Sequence, residues 1–342
     1  MSPSPDLKHG VVDLSHGGGG RAMARLIETL FVKHLDNALL RQGNDQAAFD
    51  IRAGRMVMST DAHVISPLFF PGGDIGSLAV HGTVNDLAMS GAKPLYLSAA
   101  FILEEGCPLA DLERLVMSMA RAARDADVAV VCGDTKVVER GKGDGVFITT
   151  AGVGVVPEGV NISGDRARPG DAILVSGGIG DHGIAILSQR ENLEFDTTIE
   201  SDSAALNGLV AAMVSAVPDI HCLRDPTRGG LATSLNELAQ QSGVGMQLQE
   251  FAIPVRPEVA AACELLGLDP LYIANEGKLI AICAADKAET LLAVMRDHPL
   301  GREAAIIGQV IEDAHPWVQM ETAFGGQRVV DWLSGEQLPR IC

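Results

Sequence analysis

The chain has 342 residues, with 26 Lys and Arg against 44 Asp and Glu, giving a formal charge of −18. That length suggests two domains, and 47% hydrophobic against 20% charged residues excludes a disordered chain. Aromatics at 4% beside 38 glycines favour an α/β enzyme over an aromatic-rich binding module, and the acid excess argues against nucleic acid or an anionic membrane as partner, because counterion release needs clustered Lys and Arg.

No stretch reaches the roughly 18 uninterrupted apolar residues of a membrane span. The opening Met-Ser-Pro-Ser-Pro-Asp-Leu-Lys lacks the apolar core of a signal peptide. Cys107, Cys132, Cys222, Cys263, Cys283 and Cys342 form no CxxC pair, which argues against a disulfide scaffold or a Cys-rich zinc site. A reducing, cytoplasmic setting follows.

In chain order, residues 1–15 read as a loose leader, followed by the glycine run of residues 17–20. A helix comes next, its apolar Met23, Leu26, Ile27, Leu30 and Phe31 lying on one face. Arg55 to Thr60 reads as a strand ending at Asp61, and Ile75 to Met89 as a helix. Leu112, Leu115, Val116 and Met119 mark another helix, Val128 to Cys132 a buried strand, and Gly145 to Val156 a long β run. The polar, turn-rich segment 157–169 is the expected boundary between domains. Beyond it, Ala172 to Ser176 is a strand entering a glycine turn and a helix. Helices near 203–216, 229–241, 257–267 and 286–297 follow, with strands near 244–249, 279–283 and 304–311. The fold class is α/β (α+β), divided into residues 1–20, 21–157, 170–333 and a tail, 334–342.

Six features could carry chemistry. Gly17, Gly18, Gly19 and Gly20 enter a helix, where backbone N–H groups can approach a phosphate, although a flexible joint needs the same residues. Asp45, Asp61, Asp74, Asp86, Asp134 and Asp225 fall at expected strand ends and helix starts. Nucleotide-bound Mg²⁺ needs a few such carboxylates; any one of them equally serves as a cap. Cys132-Gly-Asp134-Thr135-Lys136 follows a buried strand, and Lys136 beside Asp134 and Thr135 is a candidate phosphate contact or a charged surface turn.

Gly178-Ile-Gly-Asp-His-Gly183 fits GxGxxG, but residues 192–202 do not form the second apolar strand that a dinucleotide site requires. Asp225-Pro-Thr227-Arg-Gly-Gly230 opens a helix and aims Asp225 and Thr227 at a metal or phosphate, or places Asp225 as N-cap with Pro at N1. The chain closes on Pro339-Arg340-Ile341-Cys342, where a terminal thiol on a mobile arm is a candidate nucleophile.

These segments, with Phe69 to Pro94 and Asn275-Glu-Gly-Lys278, resemble the HypE family of hydrogenase maturation factors. Its relatives are aminoimidazole ribonucleotide synthetase, selenophosphate synthetase and thiamine-phosphate kinase, from which the closing Pro-Arg-Ile-Cys separates it. The resemblance implies two α/β domains of the synthetase type, an N-terminal one that binds ATP and pairs its sheet across a homodimer, and a mobile tail. It implies a carbamoyl group received on Cys342 from a HypF-type carbamoyltransferase, dehydrated with ATP to a thiocyanate. The cyanide then passes to iron on a HypC–HypD complex for the [NiFe] hydrogenase centre. On this reading Cys342 is the carrier, and Lys136 stands beside the developing charge. Asp45, Asp61, Asp86 and Asp225 hold Mg²⁺, while Gly17 to Gly20, Asp61, Asp86, Asp134, Thr135, Lys136 and Thr227 bind the nucleotide. Glu276 is the expected base, unless it only pairs with Lys278; His182 comes second, and Arg340 and Pro339 steer the tail. The alternative is a kinase or synthetase of the same fold acting on a free small molecule.

Overall fold

The computed structural model describes residues 5–18, 20–42, 46–50, 54–191, 199–334 and 341. Its first half is built on four strands, β1 (Arg55–His63), β2 (Lys93–Glu104), β3 (Ala129–Val138) and β4 (Val146–Val156), in the order β1-β4-β2-β3. Only β2 and β3 run parallel. The helix of residues 21–35, α1, contains a π-helical segment, Ile27–Val32. Helices α2 (Ile75–Ala88) and α3 (Leu109–Asp125) cover one face of the sheet, burying Leu78, Val84, Leu112, Leu115 and Met119 against Leu97, Phe101 and Ile148.

Strand alternation sends Met56, Met58, Ile102, Asp134 and Lys136 to the other face. Met58 there is 73% exposed, and Met56 and Ile102 are also exposed, so this face is apolar and open.

The second half is a seven-stranded sheet of β5 (Ala172–Val175), β6 (Cys222–Arg224), β7 (Gly245–Gln249), β8 (Ile280–Cys283), β9 (Ala305–Ile311), β10 (Val318–Glu321) and β11 (Gln327–Val330). Their order is β11-β10-β7-β9-β5-β8-β6. Around it pack α4 (Asp181–Arg190), α5 (Asn207–Ala216), α6 (Gly230–Ser242), α7 (Pro257–Leu266) and α8 (Ala285–Asp297).

The two halves share a core. Ala88, Met89 and Ala92 of the first lie in one buried cluster with Leu206, Leu209 and Met213 of the second. At the same seam the fully enclosed Asn85 of α2 donates to the carbonyls of Ala204 (3.0 Å) and Glu276 (3.2 Å) and accepts from the Leu206 N–H (2.8 Å).

Several expectations change. Strand β2 has no counterpart in the sequence reading, because its inward Leu97, Ala99, Phe101 and Leu103 alternate with Ala100 and Ile102, which blur the period of two. Strands β6, β10 and β11 are likewise additions. Residues 5–15 are not loose: Val12 is fully buried, its N–H donating to the Cys107 carbonyl and its own carbonyl accepting from Gly106. Strand β1 runs on to His63 and β3 to Val138, so Asp61 and Asp134 to Lys136 sit within strands rather than beyond them.

Replacing Asn85 with Ala takes the side-chain partner from the Leu206 N–H and the Ala204 carbonyl, while the Glu276 carbonyl keeps the Ala204 N–H at 3.5 Å. The variant is expected to lose roughly 2–5 kcal/mol of unfolding free energy in a urea titration. A loss under about 0.5 kcal/mol would show that the seam does not depend on this amide.

Candidate active site

Asp86 lies in the last turn of α2, where Ser59 of the adjacent β1 donates to it at 2.6 Å. Across from it, Asp225 follows β6, and both line a cavity of about 810 Å³ together with Ser59, Thr227 and Arg228. Asp225 is not an N-cap, because α6 begins only at Gly230 with Gly229 as its cap in the left-handed region. A Cβ on Gly230 would stand 2.6 Å from the carbonyls of Leu271 and Ile273, so glycine is required there.

Burial raises the Asp86 carboxyl, and the Asp61 charge adds to it. Burial and the neighbouring Asp86 push Asp225 up to about 7. Asp61 differs: burial works against its charge, yet the hydrogen bond and charge of His63, 3.2 Å away, hold it below its usual value.

Glu276 is buried behind this group. Asn275 fixes it from one side by donating to the Pro226 carbonyl (2.9 Å) and accepting from the Gly180 N–H (2.8 Å). On the other side the Glu276 N–H donates to Asp202 (3.0 Å), and a Cβ on Gly277 would stand 1.8 Å from the Asp202 carbonyl. Lys278 pairs with Asp202 at 3.3 Å, so the expected alternative partner of Glu276 is engaged elsewhere. Burial, then the charges of Asp225, Asp202, Asp61 and Asp86, raise the Glu276 carboxyl well above its ordinary value, and its Oε1 has no hydrogen-bond partner.

A second group lies at the far edge of the first sheet. Lys136 pairs with Asp134 (2.7 Å) on the open face of β3. Gly17 backs against the same strand, where a Cβ would meet the Val137 N–H nitrogen at 2.7 Å. Gly18 follows it, and Gly20 caps α1. Thr135 points the opposite way, into a cavity of about 110 Å³ under α1 lined by Met23, Ile27 and Phe31.

Asp61 pairs in register with Thr150, Ala99 and Gly133, while Asp134 pairs with Ala100. The two groups therefore face opposite sides of the sheet, three strand spacings or about 14 Å apart. One chain does not bring Lys136 and Asp134 to Asp61, Asp86, Asp225 and Glu276.

Other candidates resolve differently. Asp74 is the N-cap of α2, accepting from the Gly76 and Ser77 N–H groups. His182 is enclosed, with its Nδ1 2.8 Å from Ser201 Oγ and its Nε2 2.6 Å from the Ile341 carbonyl. Asp45, Gly19, Pro339, Arg340 and Cys342 lie outside the described residues. Sequence reading missed Ser59, His63, Asn85 and Asp202; only Asn85, beside Asp86 in Val-Asn-Asp-Leu, carried any motif-level signal.

Among the described residues, no three His, Cys, Asp or Glu side chains converge as a complete metal cluster. The mutually repelling carboxyls of Asp86 and Asp225 nevertheless suit a magnesium ion that would bring phosphate oxygens as its remaining ligands.

Residues 43–156 and 168–321 match the AIR synthase related protein N-terminal and C-terminal domains. Carbamoyl dehydratase HypE of Cupriavidus necator is 72% identical over 338 residues, covering 98% of this chain and 96% of that protein. The chain belongs to the HypE family. A crystal structure of hydrogenase maturation protein HypE in complex with ATP superposes with a TM-score of 0.94 at 56% identity, covering 96% of this chain and 99% of the other. HypE in a crystal structure of the HypE–HypF complex gives 0.80 at 49% identity, covering 90% and 99%.

Because the Asp225 carboxyl is raised from 3.8 to about 7, the folded chain holds a proton there that the unfolded chain gives up. Folding stability from this group therefore falls as pH rises through that window. Asp225→Asn should melt several degrees above the parent at pH 8 and nearly level with it at pH 4. It should also lose the extra stability conferred by Mg²⁺ and ATP. A variant melting below the parent at both pH values would contradict this assignment.

Proposed function

We propose that the chain is an ATP-dependent carbamoyl dehydratase whose substrate is a carbamoyl group carried on its own Cys342. Membership of the HypE family supports the reaction, and the buried, repelled Glu276 beside Asp86 and Asp225 is the observation that carries the site. An amide oxygen is a poor leaving group. Attack of the carbamoyl oxygen on the ATP γ-phosphorus expels ADP and leaves an O-phosphorylated thiocarbamate. Loss of phosphate with both nitrogen protons then gives the thiocyanate, so the amide oxygen departs as part of phosphate.

Phosphoryl transfer is catalysed chiefly by positioning and charge neutralisation. Asp61, Asp86 and Asp225 would hold Mg²⁺, with Asp45 the further expected ligand, and the ion would supply charge neutralisation to the phosphates. Thr227 binds phosphate beside these carboxylates, and the glycines 17–20, of which Gly17 lies by the edge strand with Lys136, do so from a second copy of the chain. Glu276, its carboxyl raised well above its ordinary value by burial and by the neighbouring carboxylates, removes the nitrogen protons when ionised.

Lys136 reaches this chemistry from a second copy of the chain. The open apolar face of Met56, Met58 and Ile102 is what a homodimer covers, and Lys136 and Asp134 lie on it. Residues 21–157 then carry nucleotide and dimer contacts, 170–333 carry Glu276, and 334–342 carry the cysteine. The partners are a HypF-type carbamoyltransferase as donor and a HypC–HypD complex as cyanide acceptor, in the cytoplasm.

Intact-mass measurement with carbamoyl phosphate, ATP, Mg²⁺ and the carbamoyltransferase should show gain of one carbamoyl group, then loss of one water that requires ATP and Cys342. ATP consumed on a free small molecule without any mass change would overturn the proposal. Lys136→Ala and Asp86→Asn should each be inactive. Mixed after dissociation and reassociation, they should recover about one quarter of the parent activity, because half the dimers contain one intact site. No recovery would place Lys136 and Asp86 in the same chain's site or outside the chemistry.

A further inference from the structure

The contact between His182 and Ile341 is not used by the chemistry above. Ile341 is 6% exposed and belongs to the buried cluster that includes Phe70, Ile186 and Ala274. Its carbonyl, which is the carbonyl of the peptide bond to Cys342, can only accept, so His182 Nε2 carries the proton. His182 Nδ1 therefore accepts from Ser201 Oγ. Burial pulls the His182 imidazole below its ordinary value, in keeping with this neutral form.

Ser201 is itself held in place. Its N–H donates to the Pro71 carbonyl (2.8 Å), and its Oγ accepts from the Ser203 N–H (3.1 Å). Gly72, with φ +88°, lies so close that a Cβ would stand 2.8 Å from the Ser201 backbone. Phe70 meets the His182 ring edge-on at 5.7 Å. A loop of the first half thus orients Ser201, Ser201 orients His182, and His182 holds the last peptide of the chain. The next residue, Asp202, accepts from the Glu276 N–H.

We propose that His182, oriented by Ser201, is a positioning residue that seats the tail for dehydration by holding the Ile341 carbonyl while Ile341 fills an apolar slot. It serves the dehydration step and not carbamoylation. The inference rests on the dehydratase reading for its catalytic consequence but not for the dock itself.

The test uses the full-length protein. Alkylation of Cys342 by iodoacetamide, followed by the mass of the C-terminal peptide, reports how often the tail leaves its slot. His182→Ala removes a buried hydrogen bond and should raise the alkylation rate roughly ten- to hundredfold. His182→Gln, which keeps an N–H donor, should return toward the parent rate, and Ser201→Ala should move the rate the same way as His182→Ala but less. Carbamoylation of His182→Ala by the carbamoyltransferase should stay within about twofold of the parent, while single-turnover loss of water falls at least about tenfold.

Unchanged alkylation in a folded His182→Ala protein would overturn the dock. Equal losses in carbamoylation and dehydration would overturn the assignment to the second step. If His182→Ala does not fold, Ile341→Gly decides the same question, with faster alkylation supporting the dock and an unchanged rate rejecting it. If the parent itself never loses water, the dehydratase reading fails while the alkylation rates still decide the dock.

Discussion

The carboxamide of Asn85 joins the two halves of the molecule where the chemistry is concentrated. It satisfies the carbonyls of Ala204 and Glu276 and the N–H of Leu206 inside a seam from which water is excluded. Backbone groups buried without partners are costly, so the segments carrying Asp202 and Glu276 are tied to α2 and, through α2, to Asp86. Apolar contact between α2 and α5 supplies the bulk of the adhesion, but it is indifferent to small slides. The directional amide sets the register between the two domains.

That register permits an electrostatic arrangement that is unfavourable by itself. Asp86, Asp225 and Glu276 each resist ionisation because they are desolvated and face one another. A protein selected only for stability would place amides or apolar groups here. Around a multivalent cation that carries phosphates, the same repulsion would become attraction. The Lys136–Asp134 pair at the opposite edge is the converse, a cation already neutralised by its neighbour.

Much of the helical framework was legible because amphipathic spacing survives in Met23 to Phe31 and Leu112 to Met119. The central strand β2 was not, because a strand covered by helices on one side and carrying alanine and isoleucine on the other has no polar face to reveal its period. Strand lengths were underestimated at Asp61 and at Asp134 to Lys136, where polar residues within a strand imitate a loop. The acidic site residues were legible as types, and Asp74 separated from the others only once its capping bonds were seen. Which face each residue takes was illegible, since that depends on register among four strands. The sequence reading placed Lys136 with the carboxylates, whereas the sheet puts them back to back.

The contact between Gly277 and Asp202 leaves no slack. A single methyl group at position 277 would overlap the Asp202 carbonyl, and the Glu276 N–H donates to Asp202, so the segment from Ser201 to Ala204 and the turn bearing Glu276 are packed directly against each other. His182 and Ile341 bear on one side of that contact, and Glu276, whose carboxyl burial raises well above its ordinary value, stands on the other. Thermodynamic reciprocity then applies in both directions. Whatever the docked Ile341 does to the acidity of Glu276, a change in the charge of Glu276 must do to the affinity of Ile341 for its slot. Occupancy of the Ile341 slot is thereby tied to a steric contact that contains no catalytic group at all.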